Sequence, residues 1–213
     1  MKIYCHNVRV WTRDRDKTSD WYWRKRMKRI RELIKEENPD VLCLQELSFP
    51  ANLYIPWNYR RVGFSASHHI YVKRSAFKVR RARFRLRWNK AEIKPVGGSE
   101  WLNLICVHLH WNAAILERNM AQIDALAKKC EERGIPTIAC GDFNNGRDKI
   151  AVLTDLHVMF APMPTYHNPA TGAVGWIDHF AVTPVYPLMT ANLRVLLNFD
   201  ALSDHNPLIL ATE

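Results

Sequence analysis

The chain has 213 residues, 47% hydrophobic and 11% aromatic with eight tryptophans, which suffices for a packed core and excludes intrinsic disorder. No run approaches the roughly 18 apolar residues of a membrane span, and MKIYCHNVRVWTR lacks the apolar stretch of a signal peptide, so the fold is expected to start at residue 1. Lys and Arg number 31 against 21 Asp and Glu, a net charge of +10 that calls for a polyanionic partner and says nothing about fold.

In chain order, Met1 to Val10 reads as a first strand. Thr18, Ser19 and Asp20 offer N-caps for a helix that runs to about Glu37, where Asn38-Pro39 stops it. Trp23, Met27, Ile30 and Ile34 share one face of that helix, so the basic residues are expected on its other faces. VLCLQE at 41–46 and WLNLICVHLH at 101–110 are apolar strands that end in polar residues. A second helix is expected from Ile115 to Arg133, with Leu116, Met120, Ile123, Ala127 and Cys130 inward and Gly134 as the stop. Strands at 135–145, 176–183 and 207–212 complete the pattern. Continuous apolar strands imply sheets covered on both faces, in one domain spanning 1–213.

The positive charge is concentrated. Residues 24–31, RKRMKRIR, hold six basic residues, and residues 73–90 hold nine, with no acid in either stretch. Within the second, Arg81, Arg83, Arg85 and Arg87 alternate with Ala82, Phe84, Leu86 and Trp88, a period of two that predicts a strand with one buried and one arginine-coated face. We read 79–108 as a hairpin-like pair whose arginine face is either solvated or a nucleic-acid surface. Cys5, Cys43, Cys106, Cys130 and Cys140 lie among apolar residues with no CxxC spacing, so they are expected free and buried, in a reducing cytoplasm. Trp21, Trp23 and Trp57 are expected to pack.

Polar residues collect where the apolar strands end: Asn7, Glu46, His108 and His110, then Asp142, Asn144 and Asn145, Asp178 and His179, and Asp204, His205 and Asn206. Taken singly, Asp178 reads sooner as a surface acid and His179 as a packed histidine, and Asn7 is compatible with a turn residue. Six strand ends of this kind imply one shared cleft. Carboxylates with carboxamides suit a hard cation, Mg²⁺ or Mn²⁺, rather than zinc.

The strings Asn7-Val8-Arg9, Leu44-Gln45-Glu46, Val107-His108-Leu109, Gly141-Asp142-Phe143-Asn144, Trp176-Ile177-Asp178-His179 and Ser203-Asp204-His205-Asn206-Pro207 occur in this order. Together they resemble the endonuclease/exonuclease/phosphatase superfamily, the deoxyribonuclease-I-like fold. The resemblance implies an α/β fold of four layers (α-β-β-α), with two mixed sheets face to face and helices outside, and metal-dependent hydrolysis of phosphoesters. It implies that Glu46 is the principal metal-binding residue, with Asn7 and Asp204 supporting the ion or its waters. It makes Asp178 and His205 the Asp–His pair, and Asp142 and Asn144 the acid and carboxamide of the GDxN motif. Either His205 or Asp142 is the base. His108 matches a histidine that acts as general acid or phosphate ligand in some branches; the glutamate that orients it there has no counterpart between Leu47 and Ala91, which favours phosphate binding. Arg9 matches an arginine that contacts phosphate in the deoxyribonuclease branch.

The basic segments choose among the superfamily's substrates. Arg9, Arg81, Arg83 and Arg85 suit a polynucleotide backbone, DNA before RNA, better than a lone inositol phosphate. The expected protein is therefore a monomeric, cytoplasmic nuclease that leaves 5′-phosphate and 3′-hydroxyl ends. The alternatives are a phosphatase or phosphodiesterase acting on lipid or small phosphoesters, and an inactive nucleic-acid-binding module.

Overall fold

Alternation inside each central strand decides the layering of the protein. A computed structural model describes residues 1–9, 16–65, 68–185, 191–197 and 202–212. In β1 (Lys2–Asn7), Ile3 and Cys5 enter one apolar cluster and Tyr4 another, and all three are buried. β1 runs parallel to β2 (Val41–Gln45). With β3 (Tyr59–Phe64), β4 (His68–Lys73), β13 (Asn192–Val195) and β14 (Leu208–Ala211) they form a six-stranded sheet, ordered β13-β14-β1-β2-β4-β3. A second six-stranded sheet has β5 (Phe77–Phe84), β6 (Trp88–Pro95), β7 (Leu102–His108), β8 (Thr137–Asp142), β12 (Asp178–Val182) and β9 (His157–Val158), in that spatial order. A short ribbon joins β10 (Tyr166–His167) to β11 (Val174–Gly175).

The inward sides of both sheets meet in one cluster that includes Cys5, Cys43, Ile70, Leu104, Cys106, Cys140 and Phe180. Helix α1 (Trp23–Glu37) buries Met27, Ile30 and Ile34 with Tyr4, Leu42 and Leu44 of the first sheet. Helix α2 (Ala113–Glu131) buries Leu116, Met120 and Ile123 with Ile105, Val107 and Ala139 of the second. The result is the expected helix–sheet–sheet–helix sandwich, with a third helix α3 (Arg147–Ala151) beside it. All five cysteines are free and buried. Among the described residues no helix is long and apolar enough to cross a membrane.

Several local expectations are corrected. The first helix starts at Trp23 without a side-chain cap, because the three expected caps lie too early and are engaged elsewhere: Thr18 donates to Asp16, Ser19 accepts from the Trp21 N–H, and Asp20 faces Lys25. Its C-terminus follows the sequence: Asn38 takes the left-handed conformation and donates to Ile34 O. The first strand ends at Asn7, and Val10 lies outside the described residues. Trp57 does not pack; it is 81% exposed. The 79–108 pair is three antiparallel strands, β5, β6 and β7. Its period of two crosses a register shift between Arg80 and Arg83 and a turn at 85–87, so Ala82, Phe84 and Leu86 are exposed and only Trp88 is buried.

Arginines of the basic segments also enter the protein. Glu92, fully buried, gathers Arg80 at 2.8 Å, Arg133, Lys90 at 3.8 Å and Arg81 at 3.9 Å. Arg26, expected on an exposed face of α1, is completely buried.

Candidate active site

The register of the sheets brings the polar strand ends to one edge. Asn7 closes β1 beside Gln45, and Glu46 follows immediately. His108 closes β7 beside Asp142, which closes β8. Asp178 opens the antiparallel β12 opposite Asp142, and His205 precedes β14. Glu46, Asn144 and Arg9 all hold positive φ (+54°, +53° and +43°), a backbone state that non-glycine residues keep only when the surroundings enforce it.

The Asn7 amide nitrogen donates to Glu46 Oε1 (3.1 Å) and Asp142 Oδ2 (3.0 Å), while its oxygen accepts from the Arg9 backbone. It thus braces two carboxylates, with its nitrogen and not its oxygen turned to them. Asp178 Oδ2 lies 2.8 Å from His205 Nδ1, and His205 Nε2 faces Asp142 Oδ2 at 3.9 Å. His108 Nε2 sits between Asp142 Oδ2 (3.7 Å) and Glu46 Oε1 (3.8 Å). Asp204 pairs with Arg9 at 3.2 Å. Asn144 donates its backbone N–H to Asp142 and its side chain to Leu109 O. Asn7, Glu46, His108, Asp142, Asn144, Asp178, Asp204, His205 and Arg9 therefore come together. Arg85 lies on the β5–β6 turn next to Arg87, whose carbonyl accepts from the His108 N–H (2.9 Å). Arg81 and Arg83 recede along the hairpin: Glu92 is paired to Asn103, five residues before His108 and roughly 17 Å away along the strand.

Burial alone would lower His205, but the Asp178 carboxylate, with Asp142 and Asp204 nearby, drives it up to about 10, so its imidazole is cationic at neutral pH. Burial pushes Asp142 up to about 7, despite His205, and also raises Glu46. Burial, with Arg87 and His205 adding to it, lowers His108 to about 4, so that ring is neutral.

The ligand atoms of Asp142, Asp178 and His205 lie within 4.8 Å of one another, close enough to share one ion. His205 is protonated and spends Nδ1 on Asp178, so that trio is better suited to moving a proton. The carboxylates Glu46, Asp142, Asp178 and Asp204 are short of positive charge even with His205 and Arg9 beside them. Burial, with Asp204 beside Glu46 and Asp178 beside Asp142, raises both carboxyls, and an all-oxygen set of this kind fits a hard divalent cation.

Sequence reasoning missed several supports. Arg26 donates to the carbonyls of Trp21 (2.9 Å), Val8 (2.9 Å), Arg9 (2.7 Å) and Leu202 (2.9 Å), tying α1 to the segments that carry Asn7 and Asp204. Ser203 Oγ donates to Asn7 O (2.7 Å), His6 Nε2 lies 3.1 Å from His205 O, and the Tyr166 ring packs 5.0 Å from that of His205. A basic residue at the apolar spacing of α1 (Arg26 lies one position before Met27 and four before Ile30) is the one signal that could have marked the clamp. Arg26→Met should cost about 2–5 kcal/mol, because carbonyls buried around the guanidinium lose their donor. Urea denaturation checks this, and an unchanged midpoint would refute the clamp.

The Endonuclease/Exonuclease/phosphatase family matches residues 10–205. Among solved structures, an endonuclease/exonuclease/phosphatase from Bacteroides vulgatus superposes with a TM-score of 0.79 at 17% identity, covering 100% of this chain and 98% of its own. A mannosyl-6-phosphatase of Bacteroides thetaiotaomicron gives 0.77 at 15%, covering 100% and 99%. D. rerio TDP2 complexed with single strand DNA product gives 0.73 at 15%, covering 100% and 98%. At these identities the likeness is one of fold. No curated protein matches the sequence.

Proposed function

The chain belongs to the endonuclease/exonuclease/phosphatase family of phosphoester hydrolases, and on that premise we propose that it is a divalent-metal-dependent nuclease. It hydrolyses phosphodiester bonds in DNA, with RNA as the second substrate, and leaves 5′-phosphate and 3′-hydroxyl ends. The observation that carries this reading is the convergence of Glu46, Asp142, Asp178, His205 and His108 around the Asn7 amide, beside a rim that carries Arg9, Arg85 and Arg87.

A Mg²⁺ or Mn²⁺ ion held by Glu46, with Asn7 and Asp204 bracing the carboxylate and its waters, would offset charge on the scissile phosphate. Asp178 holds the Nδ1–H of His205 and keeps the imidazolium charged. His205 Nε2–H then donates to a non-bridging phosphate oxygen as negative charge grows there. Asp142, with its affinity for a proton raised by burial, takes the proton of the attacking water; the Asn144 backbone N–H at 2.8 Å orients it. His108, neutral, donates to a second phosphate oxygen. The P–O3′ bond breaks: the 3′ oxygen leaves as an alkoxide that takes a proton from solvent to become the 3′-hydroxyl, and the phosphate stays on the 5′ oxygen of the downstream nucleotide. Arg9, Arg85 and, further along, Arg83 and Arg81 meet the backbone outside the cleft.

The single-strand DNA product carried by the TDP2 structure supports a nucleic-acid partner. The likeness to a mannosyl-6-phosphatase favours the second reading, a phosphatase acting on small phosphoesters. Circular single-stranded DNA, alongside plasmid DNA, with Mn²⁺, an EDTA control and Glu46→Ala separate the two. Nicking should disappear with EDTA and fall at least about 100-fold in the variant. Nicking that survives both treatments would sink the metal-nuclease reading. Phosphate release from a sugar phosphate or phosphoinositide with DNA left intact would favour the second. Salt-sensitive DNA binding with no turnover on any phosphoester would point to an inactive binding module.

A further inference from the structure

The overturned alternation at 79–88 leaves an aromatic pair where a buried face was expected. Phe64 ends β3, the edge strand of one sheet, and Phe84 ends β5, the edge strand of the other. Their rings meet across the gap between the sheets with centroids 5.2 Å apart and planes tilted by 33°. They remain 45% and 49% exposed. Hydrophobic burial does not explain rings left half in water at a sheet edge. The Arg61 guanidinium lies over one face of the Phe64 ring, 4.4 Å from its centre, so that a planar cation forms part of the stacking surface, and the exposed Arg83 and Arg85 flank Phe84 along the chain.

The pair stands at the cleft end of the molecule. Phe84 pairs with Asn89, which pairs with Cys106, two residues before His108. Asn89 in turn donates to His68 O (2.6 Å), joining the second sheet to the start of β4, whose next residue, His69, pairs with Phe64. Two strand spacings, roughly 10 Å, separate β5 from β7. A strand of about four nucleotides reaches from the scissile phosphate to these rings.

We propose that Phe64 and Phe84 form a stacking platform for unpaired bases, flanked by backbone-binding Arg61, Arg83 and Arg85, and that the substrate is consequently a single-stranded polynucleotide. This rests on the nuclease reading and sharpens its substrate. Bases in a duplex stack on one another; only an unpaired strand offers free base faces to protein rings. Cations around the rings supply the complementary charge for phosphates, so a polynucleotide suits the patch better than an uncharged apolar partner.

The test compares wild type, Phe64→Ala/Phe84→Ala and Phe64→Trp/Phe84→Trp. A labelled 12-nucleotide single strand, the matching duplex and bis(p-nitrophenyl) phosphate serve as substrates, and oligonucleotide Kd is measured by anisotropy with Ca²⁺ in place of Mg²⁺. In the alanine variant KM and Kd for the single strand should rise roughly 5- to 30-fold at unchanged kcat. Turnover of the small diester, which reads the catalytic centre alone, should stay the same. The tryptophan variant should restore binding. Unchanged single-strand KM and Kd, an equal loss on duplex, or a parallel loss on the small diester would overturn the platform. Ring-dependent sedimentation with anionic vesicles alongside unchanged oligonucleotide binding would assign the patch to a membrane surface instead. Should wild type hydrolyse the small diester but no polynucleotide, the nuclease reading fails on its own, and the Kd series still decides the platform.

Discussion

Gly141→Ala is expected to destabilise the protein by about 3 kcal/mol or more and to abolish hydrolysis with it. Gly141 precedes Asp142 on β8 and pairs with Val107, the neighbour of His108. Its φ of +145° is open to glycine alone among the common residues, and a Cβ there would stand 2.0 Å from the Val107 carbonyl oxygen. Backbone, unlike a flexible side-chain end, has little room to yield. Relief therefore requires β7 and β8 to separate, and that moves His108 relative to Asp142. Folded domains hold only about 5–15 kcal/mol, so the loss is a large share of the total. Gly146→Ala is the control, because a Cβ there meets nothing within 4 Å and its φ is −66°. Urea melts of the two variants decide the matter; equal midpoints would show that the close approach has no energetic weight.

Acid should unfold the protein in the range where histidines normally titrate. Burial lowers His6 and His68 to about 3, and His69 and His108 to about 4, and it also lowers His179. In the unfolded chain these rings take up protons near pH 6.5, while in the folded state they stay neutral down to the lowered values. The unfolded state therefore binds more protons, and stability falls as pH drops from about 6.5 toward 4. Each such ring contributes up to about 1.4 kcal/mol per pH unit. Four groups act in the opposite sense, Asp124 among them, raised by burial like the two site carboxyls. Asp142 and Glu46, both raised, add stability as pH falls through their range. His205, raised to about 10, contributes fully below about 6.5 and loses that contribution as pH rises toward 10. Lowered histidines outnumber the raised carboxylates, so the net slope below pH 6.5 is positive. Melts in EDTA at pH 7.5 and 5.0 should differ by several kcal/mol in favour of the higher pH. Equal or greater stability at pH 5.0 would refute the buried, neutral histidines.

The strand-end residues were legible because each sits at a fixed place in a local pattern. An apolar run that stops at a carboxylate or imidazole locates a strand end, and parallel pairing of β1 with β2 and β7 with β8 then places four such ends on one edge. The inward helix faces were legible for the same reason: Leu116, Met120, Ile123, Ala127 and Cys130 are all buried at their 3.6-residue spacing. The arginine alternation misled, since a period of two is informative only while the chain stays in one strand. A bulge beside Arg81 and the turn at 85–87 reset it.

By itself the sequence determined sheets covered on both faces, the inward helix faces, the free cysteines and the set of polar residues that share the cleft. These depend on local periodicity and on which residue types end each strand, while the four-layer arrangement entered through the family resemblance that the strand-end motifs carry. Tertiary structure alone decided which cations are spent inside the protein and which remain for a partner. Arg26 is taken by carbonyls from three separate segments, and Arg80 and Arg133 by the buried Glu92. Arg61, Arg83 and Arg85 stay at the surface near Phe64 and Phe84. A cation's partner is set by what lies across the fold from it, at sequence separations that reach 176 residues for Arg26 and Leu202, and no local pattern encodes that distance.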